Sequence, residues 1–438
     1  MDEQPSLENT GQCVMCGLCL SHCPTYLKTR NEAESPRGRI ALMRAIHTHR
    51  LPLDRRLAGH LDNCLACRAC EAVCPAQVPY GELIHAARYA IARARHRGLG
   101  LILSGPLLRH RALRRMLGAL LRGYQGSGLQ HLVRRTGALG PLGLRRLESF
   151  VPDPSHETIG PFATEPPGTA PAVALFTGCV AELFDRDTLA AGRRVLTRLG
   201  YRVYQPRRQT CCGAIHQHQG APGRARTFMA RNLRAFAGRG PVISCASGCG
   251  AQLAEYHKHL GSREAAAFSE RHRDIAGFLA QQPWPEALRP QPLHARVAVH
   301  TPCSLRHVLG QADQPRALLA RIPELELIEL PEGCCGAAGS YMLSHPAMAD
   351  ALVRDQVQAI RAARARIVVT ANIGCRLHLQ AALRREGLDI QVIHPVTLLE
   401  RQLHRGARVT LRLLKPRKLC DNRACPRNRS RRCDTTHL

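Results

Sequence analysis

Tryptophan occurs once in this 438-residue chain, and aromatic residues together make up 4% of it. Surfaces that stack single-stranded nucleic acid need such rings, so the composition argues against that partner. Acidic side chains are also scarce, 33 against 62 Lys and Arg, for a formal net charge of +29. That excess favours anionic surfaces in general. It is spread along the chain without the clustered stripe of a nucleic-acid footprint, and no specific nucleic-acid partner is expected. No uninterrupted apolar run approaches the ~20 residues that cross a bilayer, so no membrane span is expected. No G-x-G-x-x-G follows a strand pattern, which leaves a dinucleotide cofactor without a cradle and assigns it to another polypeptide. Met1 to Thr10 is polar and acidic, not basic and apolar. A reducing, cytoplasmic setting is therefore expected.

Cysteine, by contrast, is abundant, at 20 residues. Eight of them form two runs of Cys-x-x-Cys-x-x-Cys-x-x-x-Cys-Pro: Cys13, Cys16, Cys19, Cys23-Pro24 and Cys64, Cys67, Cys70, Cys74-Pro75. This spacing is that of a two-cluster ferredoxin, in which three close thiolates hold three irons of one cubane and the fourth thiolate serves the other. Crossed ligation predicts one [4Fe-4S] cluster on Cys13, Cys16, Cys19 and Cys74, and a second on Cys64, Cys67, Cys70 and Cys23. Zinc and disulfides are the competing readings. Zinc gives the third cysteine and the Cys-Pro no role, and disulfides need an oxidising compartment. Pro24 and Pro75 lack an N–H and are expected to keep a helix from running on past the crossing ligand. Leu83 to Ala92 reads as an amphipathic helix that shields the clusters.

The length allows about three domains. Residues 1–97 are expected to form an α-helical, two-[4Fe-4S] ferredoxin-type domain, and 98–170 a basic helical linker ending in a Pro-rich hinge (Pro152, Pro154, Pro161, Pro166, Pro167, Pro171). Within the linker, Leu107 to Leu117 alternates apolar and cationic residues at helical spacing. It packs on a neighbouring domain or lies on a membrane surface, and packing is the favoured reading.

Beyond the hinge the chain repeats itself, in modules at 171–290 and 291–404. In the first, strands at 172–176, 201–204 and 241–245 alternate with helices near 187–199 and 224–237. The second reproduces the order with strands at 296–300, 325–330 and 366–370. Alternating strands and helices predict α/β modules with parallel, Rossmann-like sheets. Cysteines sit just past the strand ends, where open α/β sheets bind ligands. The adjacent pairs Cys211-Cys212 and Cys334-Cys335 cannot both enter a core and bridge each other only with strain. A grip on one metal centre is their natural use, with Gly213 and Gly336 freeing the backbone to approach it or to take positive φ. The candidate sets are Cys179, Cys211, Cys212, Cys249 and Cys303, Cys334, Cys335, Cys375, holding a further iron-sulfur or metal centre. Buried structural thiols left over from duplication are the alternative. Cys245, at the end of an apolar strand, is expected in the core. The tail 405–438, with Cys420, Cys425 and Cys433 among arginines, reads as a disordered basic extension, with a zinc or docking site as the alternative.

Paired ferredoxin motifs followed by two CCG modules resemble the iron-sulfur subunits of flavin-dependent 2-hydroxyacid and glycerol-3-phosphate dehydrogenases and the non-cubane-cluster subunit of heterodisulfide reductases. The likeness within that group is to bacterial glycolate oxidase iron-sulfur subunits. It rests on Cys23-Pro-Thr-Tyr26, Ser35-Pro-Arg-Gly-Arg-Ile40, residues 61–71, Ala246 to Ala251 and Thr370 to Cys375. The resemblance implies an electron-transfer subunit of a glycolate-oxidising complex, with FAD on partner subunits only and a quinone or other membrane acceptor downstream. It also implies peripheral contact with the cytoplasmic face of the inner membrane. Lactate or glycerol 3-phosphate as the substrate of the complex, and a thiol-disulfide enzyme, are the alternatives it carries. A redox-responsive binding protein is the alternative suggested by charge and clusters. Family modules often end in Cys-x-x-Cys, whereas Ala246 and Asn372 stand at the first of those positions here, which counts against a non-cubane cluster and disulfide-reductase chemistry.

Overall fold

The computed structural model describes residues 6–94, 110–140, 143–154, 157 and 168–403. The basic tail with its three cysteines, and Pro161, Pro166 and Pro167 of the expected hinge, lie outside the described residues. The amino-terminal part is helical, with Pro36–His47, Arg55–Asp62 and Tyr80–Ala94 as its main elements. The Ser35 side chain accepts from Gly38 N with Pro36 at the first helical position, and Asp54 accepts from Leu57 N, so two orphan donors are satisfied. Pro24 behaves otherwise than expected: it opens a helix, Pro24–Thr29, because a missing N–H costs nothing in a first turn. Ile40, Met43, Leu57, Leu61, Leu83, Ile84 and Ile91 close a core that includes Cys64 and Cys70. Full burial of each such apolar side chain is worth roughly 1.5–3 kcal/mol, so this core contributes to the domain's stability alongside its cysteines.

Each carboxy-terminal module is a four-stranded parallel sheet with helices between the strands. The first has β1 (Ala172–Phe176), β2 (Arg202–Tyr204), β3 (Val242–Ser244) and β4 (His272–Asp274), in the order β2-β1-β3-β4. The second has β5 (Ala295–His300), β6 (Leu325–Glu329), β7 (Ile367–Thr370) and β8 (Gln391–Ile393), in the order β6-β5-β7-β8. Register repeats with the order: Phe176 pairs with Ser244 in one sheet and His300 with Thr370 in the other. The edge strands β4 and β8 are additions to the three strands per module expected from the sequence. One core runs through both modules, joining Val173, Leu175 and Ile243 to Val297, Val299 and Val369. At their junction Ser247 N donates to Ala371 O at 2.9 Å, and the Ser247 and Ser304 hydroxyls meet at 2.8 Å.

Helix Arg111–Gly126 of the linker lies against the first module, where Arg111 and Arg114 pair with Glu182 at 3.4 and 3.2 Å. Its outer side leaves Met116 and Leu120 exposed. No helix among the described residues is long and apolar enough to cross a membrane.

Candidate iron-sulfur and metal centres

Chain crossing brings the two amino-terminal motifs together. Cys23 lines one hollow with Cys64, Cys67 and Cys70, under Pro24, Thr25, Arg39, Leu65 and Tyr80. Cys74 lines a second with Cys13, Cys16 and Cys19, walled by Val14, Leu18, Ile40 and Val78. Cys70 and Tyr80 stand in the walls of both. No disulfide involves any described cysteine. The hollows differ in exposure: Cys23, Cys64 and Cys70 are buried, whereas Cys16 is exposed and Val14 and Leu18 beside it are 71% and 59% exposed.

A donor set of four thiols around an apolar hollow fits a [4Fe-4S] cluster. Burial, followed by the neighbouring thiols, pushes Cys70 well above the usual thiol range, and metal ions are what such sites need to hold thiolates. The buried hollow also carries a built polar shell. Arg39, 1% exposed, donates to Thr25 Oγ1 at 3.0 Å and His60 O at 2.8 Å, approaches Cys23 Sγ at 3.9 Å, and bonds Glu34 Oε2 at 2.5 Å. Glu34 is held in turn by His60 Nδ1 and Asn63 Nδ2, both at 2.7 Å, and Tyr341 of the second module donates to Asn63 Oδ1 at 2.6 Å. Burial works against the Arg39 charge, but Cys64, Tyr80, Cys23 and Glu34 outweigh it and raise its pKa above the guanidinium norm. Cys64 Sγ accepts from Ala66 N at 3.3 Å and from Tyr80 Oη at 3.6 Å.

In the first module Cys179 follows β1, Cys211 and Cys212 follow β2, and Cys249 lies in the helix Ser247–Ala254 after β3. Cys179 Sγ and Cys211 Sγ are 3.5 Å apart, and Cys212 shares their apolar cluster with Cys249 packed against it. In the second module Cys303 follows β5, and Cys334, Cys335 and Cys375 share one core cluster. Gly213 and Gly336 have φ of +96° and +76°, and a Cβ at Gly336 would sit 2.6 Å from Ala349 O. The expected positive φ is present, and the close approach is to the backbone of Ala349 in the following helix. Asn372 donates to Cys375 Sγ at 3.5 Å and accepts from Gly248 N at 3.4 Å, tying the two sets. Cys245 lies in a different core cluster, with Ile275 and Leu279, while both members of each adjacent pair are buried in core clusters as well, against the expectation that they could not be.

Sequence reasoning passed over His300. Among the described residues, the one group of three donors gathered within 4.8 Å is a His300 ring nitrogen with Cys335 and Cys375. Aligning Phe176-Thr-Gly-Cys179 with His300-Thr-Pro-Cys303 was the signal that could have found it, since only the second repeat has a ligand-type residue there. The two halves of the molecule also meet at metal-type residues. Cys67 packs against the core cluster that holds Cys334 and Cys335, while Arg68 bonds Glu255 of the first module at 2.6 Å.

A dicluster ferredoxin domain seated on a duplicated, thiol-lined α/β unit defines an iron-sulfur electron carrier. Comparison with known proteins agrees. The sequence pattern of the 4Fe-4S dicluster domain matches residues 9–78, that of the cysteine-rich domain 173–254 and 297–380, and that of the glycolate oxidase iron-sulfur subunit linker region 101–151. The probable glycolate oxidase iron-sulfur subunit of Bacillus subtilis is 34% identical over 410 residues, covering 88% of this chain and 92% of that protein. The glycolate oxidase iron-sulfur subunit of Escherichia coli is 30% identical, with 90% and 94% covered. One of the subunits of the fumarate reductase (CoM/CoB) of Methanothermobacter marburgensis is 28% identical over 89% of this chain and 71% of its own length. The chain belongs to the glycolate oxidase iron-sulfur subunit family.

Proposed function

We propose that the chain carries electrons within a glycolate-oxidising complex whose FAD-bearing subunits hold the substrate. Cys13, Cys16, Cys19 and Cys74 would hold one [4Fe-4S] cluster, and Cys64, Cys67, Cys70 and Cys23 the other. Bound there, such clusters supply storage of single electrons. The observation that carries this reading is the crossing itself, which puts Cys23 among the second motif's thiols and Cys74 among the first's.

The chain's own residues do the rest. Val14 and Leu18 give the exposed hollow an apolar rim suited to a flavoprotein surface, since exposed apolar side chains grouped at one spot mark contacts. Arg39 and Tyr80 direct a positive charge and a hydroxyl at the buried hollow, while Leu65 and the Tyr80–Ala94 helix keep water from it. The two module sets would take a further metal or iron-sulfur centre, and the sheet orders support a Rossmann-like reading of each module. The chain would hold no flavin or substrate of its own, pass electrons to a quinone or another membrane acceptor, and work on the cytoplasmic face of a membrane.

The test is anaerobic purification with and without coexpressed FAD-binding partners. Eight irons per chain from the amino-terminal domain, with glycolate-dependent dye reduction only in the complex, is the expected outcome. Substrate-dependent reduction by the chain alone would sink the assignment.

A further inference from the structure

The two modules share strand order, register and an equivalent set of four cysteines, and one of their buried differences lies at the end of the first strand. β5 ends in His300, 3% exposed, where β1 ends in Phe176. A ring nitrogen of His300 and the sulfurs of Cys335 and Cys375 lie within 4.8 Å of one another. His300 Nδ1 is 2.9 Å from Thr370 Oγ1, while Nε2 is buried and has no partner. An orphaned imidazole nitrogen is costly, because its desolvation is uncompensated. If Thr370 accepts from Nδ1–H, the lone pair is left on Nε2, the tautomer a metal requires.

The first module shows the contrast. Ser244 occupies the register position of Thr370, but its hydroxyl is 2.9 Å from His272 Nε2, and Phe176 has no lone pair to orient. In the second module Asn372, at the position where a fifth cysteine would stand, offers no thiolate and donates a hydrogen bond to Cys375 Sγ at 3.5 Å.

We infer that His300 Nε2 is a ligand of the second module's centre, so that this module binds a thiophilic metal or iron-sulfur centre through mixed thiolate and imidazole donors, whereas the first offers thiolates alone. The inference rests on the reading that the second module is metallated. Thiolates with imidazole suit iron and zinc alike, so the assay must separate them. Thr370 is a positioning residue: it holds the ring without touching the metal.

The full chain is prepared anaerobically with natural-abundance or 15N-labelled histidine and reduced. If the centre is paramagnetic iron, a nitrogen coupling in pulsed EPR changes with the label and disappears in His300→Gln. If it is zinc, X-ray absorption shows a nitrogen shell near ~2.0–2.1 Å beside sulfur near ~2.3 Å. Thr370→Val keeps the ring and is expected to weaken metal retention against a chelator by roughly 10–100-fold. Metal held by Cys303, Cys334, Cys335 and Cys375 with sulfur-only surroundings and no label effect would overturn the histidine assignment and leave the module's metallation standing. Protein whose iron and zinc are unchanged by Cys334→Ser would overturn both. The native protein answers the question even if His300→Gln fails to fold.

Discussion

Replacing Arg39 tests how the protein would set the potential of a cluster held in the buried hollow. Its guanidinium approaches Cys23 Sγ at 3.9 Å, so its charge lies about 6 Å from the centre of a cluster held there, where an effective dielectric near 20 gives roughly 3 kcal/mol. Glu34, bonded to the other terminal nitrogen, cancels much of this. A net of about 1–1.5 kcal/mol corresponds to roughly 40–60 mV for one electron. Arg39→Gln removes the cation and leaves the carboxylate, so the potential should fall by at least that amount. Glu34→Gln should raise it. Arg39→Lys, which keeps the charge, should move it least. The assay is a mediated redox titration followed by EPR, with iron content confirming that the cluster is loaded. Loss of one partner from a buried pair costs ~3–5 kcal/mol, so reduced thermal stability should accompany the Gln variants. Fully loaded Arg39→Gln and Glu34→Gln proteins that shift in the same direction, or not at all, would refute the electrostatic argument.

Tyr80→Phe removes one donor to Cys64 Sγ and should lower the same potential by tens of mV, on the order expected for loss of ~1 kcal/mol, as read in the same titration. Asp274 is buried, Oδ2 lacks a partner, and burial raises its pKa from 3.8 to about 7 although the N–H groups of Ala276 and Gly277 oppose the shift. A carboxyl whose pKa rises on folding favours the fold when protonated, and that contribution is complete below pH 3.8 and lost as pH climbs to about 7. Asp274→Asn keeps the Oδ1 acceptor, so its stability advantage in urea unfolding should grow toward pH 7 by on the order of 4 kcal/mol and then level off; a constant difference would refute this. Arg68→Met breaks the bonds to Glu71 and Glu255 and should speed proteolysis between the ferredoxin-type domain and the first module, with a stability loss of roughly 1–3 kcal/mol.

The cysteine spacing made the amino-terminal centres legible because a cubane dictates close, regular ligand intervals, and the crossing partner is part of the motif. Strand runs such as Val173-Ala-Leu-Phe176 and Val297-Ala-Val-His300 were readable as uninterrupted apolar segments, the mark of strands buried on both faces. β4, His272-Arg-Asp274, has three polar residues and offers no such signal. It is a strand because β3 pairs with it in parallel. β8 is a three-residue edge strand, too short to show a period. His300 escaped for another reason: a single histidine closing an apolar strand has no spacing rule, and its meaning comes from Cys335 and Cys375, which are distant in the chain. The expected packing of the basic linker depended on Glu182, over sixty residues away, and no local pattern could identify that partner.

The packing of Cys67 against the core cluster of Cys334 and Cys335 ties the two copies of the repeat to unequal fates. Among the described residues, Cys334 of the second copy shares a core cluster with Leu65, and Cys67 packs against it, while the first copy meets that domain through polar pairs, Arg68 with Glu255 and His85 with His218. Duplication has thus yielded a junction on one side and a brace on the other. Drift in the braced copy leaves that shared core untouched, whereas the joined copy cannot repack around Cys334 without disturbing Leu65 and Cys67 across the domain boundary.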